Sequence, residues 1–283
     1  MIITKKTKNR RSKVIMLYVY CPRNSNGAKE LTAALHGTRL RRWDGMDFWR
    51  KRDRIDFKPT DTIICWGMTL PKLEGVKILN GVRTGDKLAQ AKALVAANIP
   101  TITVSTWMEL RGKPDLKVWL PRTNDHEGAA DLLNPIQPLK AGFFVKKLDL
   151  QKEYRIHSFD GKSIRAGVKV PREGFKPFPK DMNPDIWRLG TKFYHPWIRA
   201  FDSGWRLDYA GFKSNAKMRK IAHDAVKALK LTFAAVDIGE QLDGSLVVLE
   251  VNKAPGIEGG SIEAYAKHIL SWSRGTLSGG EED

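Results

Sequence analysis

Apolar and polar positions follow two different rhythms along this chain. VIMLYVYC (14–21), DTIICWG (61–67) and VKILN (76–80) are short apolar runs, rich in β-branched and aromatic residues, that predict buried strands. KELTAALHG, closed by Gly37, and DKLAQAKALVAANIP (86–100), stopped before Pro100, carry helical spacing, and TITVS follows the second. Strands alternating with helices predict a small α/β domain with a parallel sheet over residues 14–105.

From residue 106 the rhythm changes. KVWLPR, GFFVKKL, EYRIHSFDGKSIRAGVKV and FAAVDIGEQLDGSLVVLEVN read as strands and hairpins. Asp160-Gly161 and Asp243-Gly244 are signals for two-residue type I′ turns. SNAKMRKIAHDAVKALKL (214–231) alternates apolar and basic positions at helical spacing, and SIEAYAKHILSW (261–272) predicts a closing helix. The α+β part therefore spans 106–275, and SGGEED within 276–283 is expected to be a disordered tail.

One hairpin raises a chemical question. With a two-residue turn at Asp243-Gly244, Asp237 falls opposite Glu250, and Asn252 shares their face by the period of two. Val236, Ile238, Leu249 and Val251 would then form an apolar opposite face. Like charges directly opposite are destabilising unless a cation lies between them. Hard oxygen donors in this number suit magnesium, which takes one or two carboxylates plus substrate phosphates. The bland alternative is a solvated face with incidental acids.

Composition narrows the setting. Hydrophobic residues make up 42% and charged residues 28%, as in ordinary globular chains. No run approaches the ~18 consecutive apolar residues of a membrane span. Cys21 and Cys65 are the only cysteines, with no metal or disulfide spacing, so the cytoplasm is the expected compartment. The net charge is +18, and Lys5, Lys6, Lys8, Arg10, Arg11 and Lys13 crowd into a basic segment over 1–13 that is expected to be a flexible tail. This charge favours polyanionic partners such as nucleic acid, nucleotide phosphates or acidic peptides.

AVDIGEQLDGSLVVLEVNKAPG followed by SIEAYAKHI resembles the C-terminal signature of the ATP-grasp superfamily. FVKKLDLQKEYRIHSFDGKSIRAGVKV resembles the segment that crosses over adenine and begins the next strand. Residues 61–105 resemble the domain preceding the grasp in carboxylate–amine ligases. The resemblance covers roughly residues 14–272 and implies an ATP-grasp fold with an N-terminal pre-ATP-grasp domain. It also implies a ligase that converts a carboxylate to an acylphosphate with ATP and passes the acyl group to an amine. Two magnesium ions are implied, with manganese as an alternative. They would be held by Asp237, Glu250 and Asn252.

The same resemblance assigns Glu153 to the ribose, while the residues alone allow a surface acid paired with Arg155. His157 shares that face by parity and could border the phosphates or be structural. Lys146 stands in the hinge where relatives often carry Glu. Lys87, with Lys92 as the alternative, Arg122 and Lys169 are the candidate phosphate cations; Gly128 is the one glycine of the loop after Arg122. Arg199 and Arg206 flank an aromatic-glycine turn and are the candidate catalytic cations toward the acylphosphate. Lys253 would point away from the metals. RLRRWDGMDFWRKRDRIDF (39–57) interleaves basic and aromatic residues, a pattern suited to single-stranded nucleic acid or to an ordinary lobe edge. The alternative to a ligase of small molecules is therefore a nucleic-acid-associated protein, either modifying a nucleic-acid-borne or acidic-peptide group or only binding. A kinase outcome, the identity of acid and amine, and the oligomeric state stay open.

Overall fold

The computed structural model describes residues 15–22, 24–41, 57–111, 119–122, 143–179, 181, 191–196 and 198–275. The expected tails over 1–13 and 276–283, the loop holding Gly128 and most of the basic-aromatic stretch lie outside the described residues. Two compact units emerge, one from residues 1–81 with 258–283 and one from 82–257.

In the first unit β1 (Leu17–Cys21), β2 (Thr38–Arg41), β3 (Thr62–Cys65) and β4 (Lys77–Leu79) form a parallel sheet in the order β2-β1-β3-β4. Helix α1 (Asn26–Ala34) begins where the Ser25 hydroxyl accepts the Ala28 N–H, and it buries Ala28 and Leu31. The unit boundary falls at Gly81, not near residue 105. Helix α5 (Gly260–Arg274), expected with the second domain, belongs to the first unit. Tyr265 packs edge-on against Trp66 at 5.3 Å, and the Lys77 amine bonds the Ser273 carbonyl at 3.3 Å.

In the second unit, helix α2 (Lys87–Ala96) starts at an Asp86 cap and buries Leu94 in the core of this unit. The short β5 (Val104–Ser105) and helix α3 (Trp107–Leu110) follow. β5 joins β6 (Trp119–Arg122) and β7 (Phe143–Lys146) in a three-stranded antiparallel sheet. Further along lie β8 (Leu150–Phe159) and β9 (Lys162–Pro171), then the small parallel pair β10 (Lys176–Pro177) and β11 (Phe193–Tyr194), then β12 (Trp205–Asp208). Helix α4 (Ala216–Ala228) leads to β13 (Phe233–Gln241) and β14 (Leu246–Asn252).

The main sheet has five antiparallel strands in the order β12-β9-β8-β13-β14. Alternation sorts its faces. Tyr154, Ile156, Val236, Ile238, Val248 and Val251 point to α4 and pack on Met218, Ala222, Ala225 and Val226. The other face is polar and carries the candidate chemistry. Among the described residues no helix is long and apolar enough to cross a membrane.

Both hairpins of this sheet contain a bulge. Asp160 and Gly161 have φ of 47° and 79°, as a type I′ turn requires. Phe159 then pairs with Lys162 and Ser158 with Ser163, but His157 pairs with Arg165, so Ile164 is the extra residue. The second hairpin departs from the expected two-residue turn. The Gln241 N–H bonds the Ser245 carbonyl at 2.9 Å, leaving a three-residue loop in which only Gly244 has positive φ, 79°. Ile238 pairs with Val248 and Asp237 with Glu250, so Leu249 is the extra residue. The backbone of Val248 is held from outside the hairpin: its N–H reaches the Pro100 carbonyl at 2.8 Å and its carbonyl accepts the Ile102 N–H at 3.1 Å.

Candidate active site

The polar face of the main sheet is organised in rows of residues in register across the strands. Successive rows along a strand are about 7 Å apart, two residues of strand rise. The first row holds Gly239 opposite Glu153. Lys169 of β9 forms an ion pair with Glu153. The second row runs Glu250, Asp237, Arg155 and Gly167. The third runs Asn252, Ala235, His157 and Arg165.

Asp237 and Glu250 do lie directly opposite, and each already faces a cation. Arg155 grips Asp237 through two bonds of 2.7 and 2.8 Å. Burial pushes the Asp237 carboxyl up, but the guanidinium outweighs it and the net displacement is downward. Arg155 is correspondingly held above its ordinary value, the Asp237 charge overcoming burial. Glu250 is more open, and Lys87 at the start of α2 reaches it at 3.1 Å. Leu249, Ile102, Phe143 and Val145 make the apolar walls of the cleft that Lys87 and Glu250 share. Lys92, the alternative to Lys87, is exposed and does not join this group.

Asp237, Glu250 and Asn252 offer two carboxylates and a carboxamide on one face. Among the described residues no cluster of three or more His, Cys, Asp or Glu side chains is arranged for a metal. The donor chemistry nevertheless fits a hard divalent ion that draws its other ligands from phosphate. The fit requires Arg155 and Lys87 to give up the carboxylates and turn to phosphate oxygens.

Glu153 is buried, and burial raises its carboxyl despite the Lys169 charge. Arg199 reaches the same neighbourhood from outside the sheet. It donates to the Leu150 carbonyl at 2.6 Å and stacks over Trp205 at 4.8 Å. Burial lowers its pKa, against the pull of Glu153. His157 is pushed down to about 3 by burial and by the Arg155 charge, so it is neutral at ordinary pH.

Other candidates stand apart. Arg206 alternates with Leu207, the partner of Lys169, and so lies on the opposite face in a long 3.8 Å contact with Asp208. Lys146 is exposed at the end of β7. Arg122 pairs with Phe143 in backbone register, and its side chain lies outside the described residues. Lys253 donates to the Val82 carbonyl at 3.0 Å, away from the rows.

Three participants escaped the sequence reading. The sequence offers Arg155 as a partner for Glu153, whereas β8 beside β13 sets it in register with Asp237. Tyr209 bonds His157 at 2.9 Å. Leu249 was expected on the apolar face. The bulge instead turns it to the polar face, where it and Leu150 cover Gly239; a Cβ at 239 would lie 2.7 Å from Leu150 and 3.2 Å from Leu249.

The sequence matches no protein-family model and no curated protein. Solved structures do match. The ATP-grasp ligase PsnB complexed with minimal precursor shares 12% identity over 91% of this chain and 99% of that chain, with a TM-score of 0.59. The D-alanine–D-alanine ligase from Bacillus anthracis shares 17% identity over 93% and 97%, with a TM-score of 0.60. The D-cycloserine synthetase DcsG shares 14% over 92% and 100%, with a TM-score of 0.54. Together with the hairpin and its opposed carboxylates, these likenesses establish that the chain has the ATP-grasp fold.

Proposed function

We propose that this protein is an ATP-dependent ligase that joins a carboxylate to an amine. The observation that carries the reading is the second row. It opposes Glu250 to Asp237 and supplies each with a cation that phosphate can claim. The nucleotide would run along β8, with its base over Leu249 and Leu150 and beside the hinge backbone after Lys146. Its ribose hydroxyls would bond Glu153, and Lys169 and Arg199 would balance that buried acid. Its phosphates would meet Arg155 and Lys87. Asp237, Glu250 and Asn252 would hold magnesium ions, or manganese in their place, which neutralise the phosphates when bound. The Arg122 side chain is a further phosphate candidate.

In this reading a donor carboxylate oxygen attacks the γ-phosphorus, the bond to the β-bridging oxygen breaks, and ADP leaves with its electron pair. The amine nitrogen then attacks the acyl carbon. The carbon–oxygen bond to phosphate breaks and the nitrogen gives up a proton to solvent. Once Asp237 turns to a bound cation, the released Arg155 fork would hold the moving phosphoryl group, because its planar guanidinium matches two phosphate oxygens. Arg199 acts from the ribose end, and no step is assigned to Arg206.

The substrates are proposed by class. PsnB has been solved with the precursor peptide PsnA2 and the macrocyclase MdnC with the precursor peptide MdnA. The net charge of +18 favours an acidic peptide over a neutral one. Cytoplasmic ATP makes the cytoplasm the proposed compartment. The test is calorimetric titration of Mg-ATP into wild type and Glu250→Gln. Magnesium-dependent binding is expected, weakened at least tenfold by the substitution. Hydroxylamine trapping of acylphosphates, with a pool of carboxylates and peptides, then reads the reaction, and a phosphorylated product without hydroxamate would indicate a kinase. A wild type that binds no nucleotide at any magnesium concentration sinks the reading.

A further inference from the structure

We infer that the third row, Arg165 with Tyr209 and His157, is the binding site for the carboxylate of the acyl donor. The inference rests on the ligase reading and assigns its substrate pocket. The first and second rows each pair acids with cations, whereas the third holds one cation and no acid. Arg165 stands opposite His157 in the ladder, and Ala235 and Asn252 complete the row. Among the described residues no carboxylate pairs with Arg165. It lies instead against an aromatic ring: the guanidinium is 4.2 Å from the centroid of Tyr209.

The group is built rather than incidental. Tyr209 occupies the space left by Gly167, where a Cβ would lie 2.8 Å from the ring. Its hydroxyl is fixed by His157, which is itself fully buried. A guanidinium stacked on a tyrosine is pre-organised, so binding a planar anion orders little that was free. The fork of Arg165 matches a carboxylate with two parallel hydrogen bonds. Buried Ala235, small and apolar, leaves room beside it.

Position selects the ligand. β8 presents Glu153, Arg155 and His157 in order, so the third row follows the second at about 7 Å on the side away from the ribose acid. A donor carboxylate must approach the γ-phosphoryl from the side opposite the leaving ADP. The third row is where that carboxylate would be held, and its cation offsets the repulsion between carboxylate and phosphate.

The experiment is calorimetric titration of four probes, acetate, succinate, L-glutamate and hexaglutamate, into protein saturated with Mg-AMPPNP. At least one is expected to bind wild type and to bind Arg165→Met at least tenfold more weakly, with partial recovery in Arg165→Lys. The Mg-AMPPNP affinity of the variants is expected to stay within twofold of wild type, which also shows that they fold. If wild type and Arg165→Met bind the probes alike, or no probe binds the nucleotide complex, the inference is overturned while the ligase reading stands. If wild type does not bind Mg-AMPPNP, both fall.

Discussion

The two hairpins of the main sheet reach the site by different routes. In β8–β9 a two-residue turn is followed by a bulge at Ile164; in β13–β14 a three-residue loop is followed by a bulge at Leu249. Continued regularly from its turn, the first hairpin would set Ile164 and Val168 on the face of Glu153. The bulge shifts the return strand by one and brings Arg165, Gly167 and Lys169 there instead. The second, continued regularly, would oppose Asp237 to Leu249, and its bulge substitutes Glu250. In both cases one extra residue on the return strand decides which side chains meet the substrate, a use of bulges suited to a site at the sheet surface.

The largest expected effect tests the asymmetry between the two opposed acids. Asp237→Ala strands Arg155 in a buried position and is expected to cost about 3–5 kcal/mol in stability by chemical denaturation. Glu250→Gln leaves only the more accessible Lys87 unpaired and is expected to cost under about 1 kcal/mol. The pH dependence has a definite sign. The folded Asp237 pKa is depressed, so its contribution is present above the unfolded value and is lost as pH falls below it. The gap between wild type and Asp237→Ala should therefore narrow in acid. Equal costs for the two substitutions would show that Arg155 does not depend on Asp237.

The opposition of Asp237 to Glu250 was legible in the sequence, but for a reason only half right. The loop has one residue more than the Asp-Gly signal suggests, and the bulge adds one to the other strand. The two departures cancel at Asp237 and Glu250 and fail to cancel at Leu249, which was assigned to the wrong face. Alternation of apolar residues marks a strand but not a bulge within it, because Val248 and Leu249 are both apolar. The turn at Asp160-Gly161 was read correctly, yet nothing local to the turn announces the shift at Ile164. Fold class was more robust, since it needs only the order and type of the elements. The place of α5 was hidden for another reason: its partner Trp66 is distant in sequence.

Comparison of the two bulged residues gives the next effect. Leu249 covers Gly239 on the polar face, so Leu249→Ser should weaken Mg-ATP binding about tenfold, or about 1.4 kcal/mol. Ile164 lies toward the turn, beyond the third row, and Ile164→Ser should leave nucleotide affinity within twofold. Equal effects of the two on calorimetric affinity would remove Leu249 from the base site.

The smallest expected effects separate the turns themselves. Gly161 and Gly244 both have φ of 79°, where a side chain costs about 1 kcal/mol. They differ in surroundings. A Cβ at 161 would lie 3.0 Å from the His223 ring, whereas nothing lies within 4 Å of one at 244. Gly244→Ala should therefore show the backbone cost alone. Gly161→Ala should show that cost plus a few tenths of a kcal/mol for displacing His223, and Gly161→Ala combined with His223→Ala should remove the excess, beyond the cost of His223→Ala alone. Both turns lie at the ends of strands whose pairing is fixed farther along, at the bulges and by Val248 bonding Pro100 and Ile102. Nucleotide affinity should then be unchanged in both single variants. A loss of affinity in Gly244→Ala would mean that the three-residue loop, and not the bulge at Leu249, sets the opposition of Asp237 and Glu250.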